Sequence, residues 1–202
     1  ALFPSRPARN PRMSAHPPTP SRTSLWQQYR RELGFLIFFV LILATSFTLI
    51  SWNPVNDRVI EPFTGAIARA GGATLNLLGQ ETKMNGTIIR SDRFAVNIRN
   101  GCNGVEAMLI YFAAVLAFPA SWKARLLGVG LGFVAIQLVN LIRVVALFLT
   151  GVYLPRLFDS SHTVVWQTLV ILSGVLLWML WASRFAGPAP RDPLAADKAQ
   201  SA

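Results

Sequence analysis

The chain has 202 residues, is 52% hydrophobic and only 14% charged, and carries a formal net charge of +10. An average soluble domain is about 25% charged, so an ordinary soluble domain is a poor fit, and the apolar content excludes a disordered chain. One cysteine excludes an internal disulfide, and a basic excess in so apolar a chain points to membrane orientation rather than nucleic-acid binding.

Residues 1–24 are rich in Pro, Ser and Arg and are expected to form a disordered tail. The chain begins at Ala1, and Met13 is a candidate natural start that would leave residues 1–12 outside the native protein. A helix needs about 20 mostly apolar residues to cross a hydrocarbon core of about 30 Å. Residues 33–52 have that length and no charge. Their length, and the Asn53-Pro54 that follows, favour a retained span over a secretory signal.

The segment 53–103 is polar enough to lie outside the bilayer. Within it, residues 59–79 carry apolar groups at mixed spacing, interrupted by Gly71-Gly72. An interfacial helix is expected there, one that covers the bundle rather than entering it. Asn85-Gly86 is a hairpin turn signal. Phe94, Val96 and Ile98 alternate with Ala95, Asn97 and Arg99, as in a half-buried strand. A small extracytoplasmic hairpin or meander is therefore expected, leading into Gly101-Cys102-Asn103-Gly104.

Three more apolar runs follow: 104–119 with one acid, Glu106; 126–149 with one base, Arg143; and 164–182 with no charge. Residues 187–202 read as a second disordered tail. The expected fold is an all-α integral membrane protein of about four transmembrane helices, with residues 25–186 forming the embedded domain. Arg22, Arg30 and Arg31 precede the first span, Lys123 and Arg125 lie between the second and third, and Arg184 and Arg191 follow the fourth. With four spans these places share one side, the cytoplasmic one, so both termini are expected inside.

Ionisable groups in or beside spans are costly and mark function. Few exist here. Arg143 lies 17 residues beyond Leu126, about 25 Å along a helix at 1.5 Å per residue, close to the outer edge of the hydrocarbon. Cys102 and His162 lie at the outer mouths of the second and fourth spans. The topology thus gathers Cys102, Arg143 and His162 on the outer face. A thiolate attacks carbonyls, histidine moves protons near neutral pH, and arginine stabilises an oxyanion. Together they suit acyl transfer through a thioester.

Each residue also has a plainer role. Cysteine is often a small buried hydrophobe, Arg143 can snorkel to headgroups, and His162 can be an interfacial polar residue. Glu106, one helical turn from Cys102, is expected to pair with Arg143 or to help orient the site. Asn140 lies close enough to Arg143 to support it, and the Cys102-Asn103-Gly104 step at a helix start offers backbone N–H groups to an anion. Gln137, Asn140 and Arg143 form a drifting polar stripe of the kind that glues helices together. Trp122, Trp166, Trp178 and Trp181 suit interfacial belts. One cysteine and one plausible histidine do not build a typical zinc site, and no cofactor is expected.

Gly101-Cys102-Asn103-Gly104, then Asn140-Leu141-Ile142-Arg143, then His162 before the last span resemble the exosortase and archaeosortase family. The strand before the cysteine, the Phe118-Pro119-Ala120-Ser121-Trp122-Lys123 link and the short length most resemble its exosortase H branch. The resemblance covers about residues 30–185. It implies an integral-membrane cysteine transpeptidase of the bacterial cytoplasmic membrane. Its substrates would be exported proteins ending in a short motif, a transmembrane helix and a basic cluster, as in PEP-CTERM signals. It also implies Cys102 as nucleophile, Arg143 as oxyanion stabiliser and His162 as general acid or base. The chain is shorter than the longer members, so their extra elements for substrate or acceptor are expected to be missing. The residues themselves also allow a thiol acyltransferase or hydrolase acting on lipid, or a non-enzymatic membrane assembly factor.

Overall fold

The structure is a computed structural model that describes residues 22–158 and 165–185. The chain divides into a unit 1–33, whose described part is the opening turns of the first helix, and a unit 34–202 that holds everything else below. The remainder of both expected tails lies outside the described residues. So does His162.

Helix α1 runs Arg22–Ser51. It begins before residue 24, so the end of the expected disordered tail is helical. A bend at Trp52 leads through a short turn α2 (Asn53–Val55) and a π-helical turn (Asn56–Ile60) into α3 (Glu61–Leu77). Three short strands follow, β1 (Lys83–Asn85), β2 (Ile88–Arg90) and β3 (Ala95–Asn97), then α4 (Val105–Ala117), α5 (Trp122–Tyr153) and α6 (Trp166–Phe185). The protein is mostly helical, with a small sheet. Among the described residues, three helices are long and apolar enough to cross a membrane: α1 from Glu32, α5 and α6.

The expected second span is shorter than its apolar run. Helix α4 has 13 residues, about 20 Å at 1.5 Å per residue, against a core of about 30 Å. A left-handed Gly104 (φ 77°) starts it and extended Phe118 (φ −69°, ψ 138°) ends it. Helix α5 is correspondingly long, at 32 residues, or about 48 Å. The tight turn between them is pinned by Ser121, whose hydroxyl accepts the Ala124 N–H at 3.3 Å, and by Arg125, which donates to the Phe118 carbonyl at 3.0 Å.

Near that turn the helix ends meet through aromatic rings. Phe118 lies 6.4 Å from Phe35, 6.0 Å from Trp178 and 5.7 Å from Trp181 between ring centroids. Lys123, Arg125 and Arg184 belong to the same end in sequence. Small residues let the helices approach closely, as is usual in membrane bundles. A Cβ on Gly132 would collide with the Tyr111 ring, and one on Gly128 with Trp181. Tyr111 donates its hydroxyl to the Gly128 carbonyl at 3.2 Å, and Trp181 donates its indole N–H to the Ala124 carbonyl at 3.0 Å. Trp181 is therefore a core residue, 5% exposed, not the belt residue its type suggested.

At the other end, α3 and the sheet clad the far part of α5. Ala68, Leu75, Ile89, Ile98, Val144 and Phe148 form one buried cluster. Helix α3 passes straight through Gly71-Gly72, which the sequence marks as an interruption. A Cβ on Gly71 would lie 2.9 Å from Val144 Cγ1, and one on Gly72 would strike Met84. These glycines are sockets for neighbouring side chains rather than helix breaks.

The strands form one antiparallel sheet in the order β1-β2-β3. Its register pairs Met84 with Ile89 and Ile89 with Val96. Gly86 takes φ 60° in the turn between β1 and β2.

Candidate active site

The chain leaves β3 at Asn97 and reaches α4 through the loop 98–104. Ile98 is buried and donates its N–H to the Thr87 carbonyl at 3.0 Å, which anchors the start of the loop. Gly101 (φ 88°) and Gly104 (φ 77°) are both left-handed, a region glycine enters without steric cost. They bracket Cys102 and Asn103. Gly104 is doubly constrained, since a Cβ there would stand 3.0 Å from Gln137 Nε2 and 3.1 Å from Asn140 Cγ.

Asn103 is fully buried and ties the loop to two other elements. Its amide donates to Thr64 Oγ1 on α3 at 2.9 Å, and its Oδ1 accepts the Val105 N–H at 3.1 Å. Gln137 on α5 donates to the Asn103 carbonyl at 3.4 Å. The sequence marks Gln137 only as part of a polar stripe that glues helices together. Thr64 was not singled out at all, and its only sequence signal is a hydroxyl on the buried face of α3, between Ile60 and Ala68.

Arg143 reaches the loop from α5. It donates through Nη1 to the Gly101 carbonyl at 3.1 Å and through Nη2 to Cys102 Sγ at 3.8 Å. It is only 2% exposed. Glu106 approaches from α4 and accepts the Gly101 N–H on Oε1 at 2.8 Å. The acid and the base thus hold opposite ends of one residue, Gly101, instead of pairing directly as expected.

The Cys102 N–H is taken by the Arg99 carbonyl at 2.9 Å, which removes one donor that the helix start was expected to offer an oxyanion. Burial pushes the Cys102 thiol above its ordinary range; Arg143 opposes this shift and Glu106 adds to it.

Several buried polar atoms around this loop have no hydrogen-bond partner among the described residues: both amide atoms of Asn140, Gln137 Oε1, Glu106 Oε2 and Arg143 Nε. A buried polar group left without a bond costs about 1–3 kcal/mol. Of the seven such buried atoms among the described residues, these five lie around residues 101–104; the other two, Arg125 Nε and Trp178 Nε1, lie near the turn between α4 and α5. Asn140, itself 0% exposed, lies against Gly104 rather than bonding to Arg143.

The structure therefore brings together Cys102, Arg143, Glu106, Asn103 and Asn140. The family model described as "Transmembrane exosortase (Exosortase_EpsH)" matches residues 22–182, a stretch that contains every one of them. No curated protein and no solved structure matches the chain.

Proposed function

Because the chain belongs to the transmembrane exosortase family, we propose that it is a cysteine transpeptidase that processes C-terminal sorting signals of exported proteins. The observation that carries this reading is the buried Arg143 guanidinium, which contacts both the Cys102 sulfur and the adjoining Gly101 carbonyl. It is a fixed cation at the place where negative charge would develop.

In this reading the Cys102 thiol loses its proton to His162 as the sulfur attacks the scissile carbonyl. Charge on the resulting oxyanion is met by Arg143, a form of stabilisation worth about 10²–10³ in rate. The intermediate collapses, the C–N bond breaks, and His162 returns the proton to the leaving amine. The N-terminal part of the substrate remains as a Cys102 thioester. An acceptor nucleophile or water then attacks that thioester, gives up a proton to His162 and restores the thiol.

The bundle's polarity supports a site at the outer face of a bacterial cytoplasmic membrane with both termini inside. Basic residues cluster near the Phe35–Phe118 end, as cytoplasmic flanks do. From Phe118 back to Gly104 is 14 residues, about 21 Å of helix, so Cys102 lies towards the opposite side. In this arrangement α4 is the fourth, shorter membrane helix. A substrate with an outer motif, one transmembrane helix and an inner basic cluster matches this layout.

A second reading, a thiol acyltransferase on lipid substrates, is favoured by one feature. An apolar groove of about 340 Å³ between α1, α4 and α6, lined by Phe35, Phe39, Ile110, Val170, Gly174 and Trp178 among others, is wide enough for an acyl chain. Co-expression of a secreted reporter with a C-terminal motif, helix and basic cluster from the same genome separates the two. The transpeptidase shortens the reporter at the motif and Cys102→Ala does not. An unshortened reporter, with a fatty acyl group on Cys102, supports the acyltransferase.

A further inference from the structure

Strand β3 is the edge of its sheet nearest the candidate nucleophile. Its bonds to β2 are made at every second residue: the Ser91 N–H donates to the Phe94 carbonyl at 2.8 Å and the Ile98 N–H to the Thr87 carbonyl at 3.0 Å. In an antiparallel ladder the intervening residues point their backbone groups the other way. Ala95 and Asn97 are those residues, in register with Arg90 and Ile88. Both are exposed, as is Arg99. Among the described residues no hydrogen bond reaches the backbone N–H or C=O of Ala95 or Asn97, or the N–H of Arg99. The next group in the series, the Arg99 carbonyl, accepts the Cys102 N–H. The open edge therefore runs directly to the candidate nucleophile.

Helix α3 packs against β1 and β2. A cleft of about 440 Å³ lies between Asn56, Glu61 and Thr64 on one side and Asn97, Arg99 and Asn100 on the other. Donors and acceptors repeating every two residues, about 6.6–6.8 Å apart, are complemented by another extended polypeptide and by little else. Opposite charges from Arg99 and Glu61 in the cleft select no strongly charged ligand.

We propose that the open edge of β3 is the substrate-docking strand: an extended segment of the sorting signal pairs with Ala95, Asn97 and Arg99 as a fourth strand and is thereby led to Cys102. This rests on the transpeptidase reading and adds how the signal is held. Main-chain pairing supplies affinity that depends little on side chains, and the cleft beside it reads alternate residues.

The test uses the full chain in membranes and the secreted reporter described above. Asn97→Pro removes an outward N–H while leaving the backbone bonds to the β2 side in place; it also removes the Oδ1 that accepts the Thr87 hydroxyl at 2.8 Å. It is expected to raise the reporter's KM about tenfold, the equivalent of one lost backbone hydrogen bond, with kcat little changed. Asn97→Ala, which loses only that side-chain bond, is the control and should keep the wild-type KM. The melting temperature and Cys102 alkylation rate of Asn97→Pro report whether the fold is kept. Independently, in a Cys102→Ala background, Asn97→Cys is expected to form disulfides with reporter cysteines at alternate positions of the motif. Met84→Cys, on the far edge of the sheet, forms none. Wild-type KM in a folded Asn97→Pro protein, or cross-links without a two-residue period, overturns the proposal. Cross-linking needs no catalysis, so a reporter that the wild-type protein leaves uncleaved, but that still cross-links with that period in the Cys102→Ala background, counts against the transpeptidase reading alone.

Discussion

Arg143 touches the Gly101 carbonyl and the Cys102 sulfur from a position only 2% exposed. Two donors fixed in a plane do this; a lysine offers one compact charge in their place. Arg143→Lys is therefore expected to lose about 10²–10³ in reporter-processing rate, measured as the rate of reporter shortening, while the protein still folds. The thiol's protonation gives a second expectation. Burial raises the Cys102 pKa and Arg143 lowers it, while Glu106 raises it. Thiolate, and with it the rate of alkylation by iodoacetamide, is thus expected to grow with pH only above the ordinary thiol range. Arg143→Gln should move that midpoint up, and Glu106→Gln should move it down. Gly104→Ala forces a side chain into the left-handed region, at about 1–2 kcal/mol, and against Gln137 and Asn140. A lowered melting temperature and slower processing are expected together. Cys102, Arg143 and Glu106 stood out in the sequence because so few ionisable groups lie in or near the spans. The way Glu106 and Arg143 meet did not, because it depends on the backbone of Gly101 standing between them. Thr64 was invisible for a similar reason: its partner Asn103 is 39 residues away.

The elements followed from apolar runs where length alone decides, as in α1, α5 and α6. They did not where a neighbour decides. Residues 104–119 are apolar throughout except Glu106, yet α4 keeps 13 of them, because the left-handed Gly104 and the extended Phe118 close it at both ends. Gly71-Gly72 looks like a break by composition and is a contact surface in fact. The same holds for Gly132, whose missing Cβ is replaced by the Tyr111 ring. Gly132→Leu is accordingly expected to separate α4 from α5 and to destabilise the protein by about 1–3 kcal/mol, the usual cost of overpacking. Thermal unfolding in detergent checks this, and Gly130→Leu, where nothing lies within 4 Å of an added Cβ, should unfold near the wild-type temperature. The small sheet was legible from the Asn85-Gly86 turn and the alternation after Phe94. That β3 keeps one edge open depends on the pairing register, which no local pattern states.

For the whole molecule, the arrangement of basic residues and aromatic rings at one end, and of the Cys102 loop at the other, turns a helix bundle into a directed one. A membrane-impermeant maleimide is expected to label Arg93→Cys on intact cells and Lys123→Cys only after the membrane is opened, both in a Cys102→Ala background. The reverse pattern would put the Cys102 loop in the cytoplasm, away from exported substrates. This expectation comes from the positive-inside count, and the labelling tests it. His162 lies outside the described residues, so its part in the chemistry rests on the proposed function. The most direct measurement of the central claim is mass spectrometry of the full-length protein from membranes containing the reporter, quenched at low pH. The account predicts the N-terminal part of the reporter attached to Cys102 as a hydroxylamine-sensitive thioester. Processing of the reporter by Cys102→Ala at the wild-type rate, with no adduct on the wild-type protein, would contradict it.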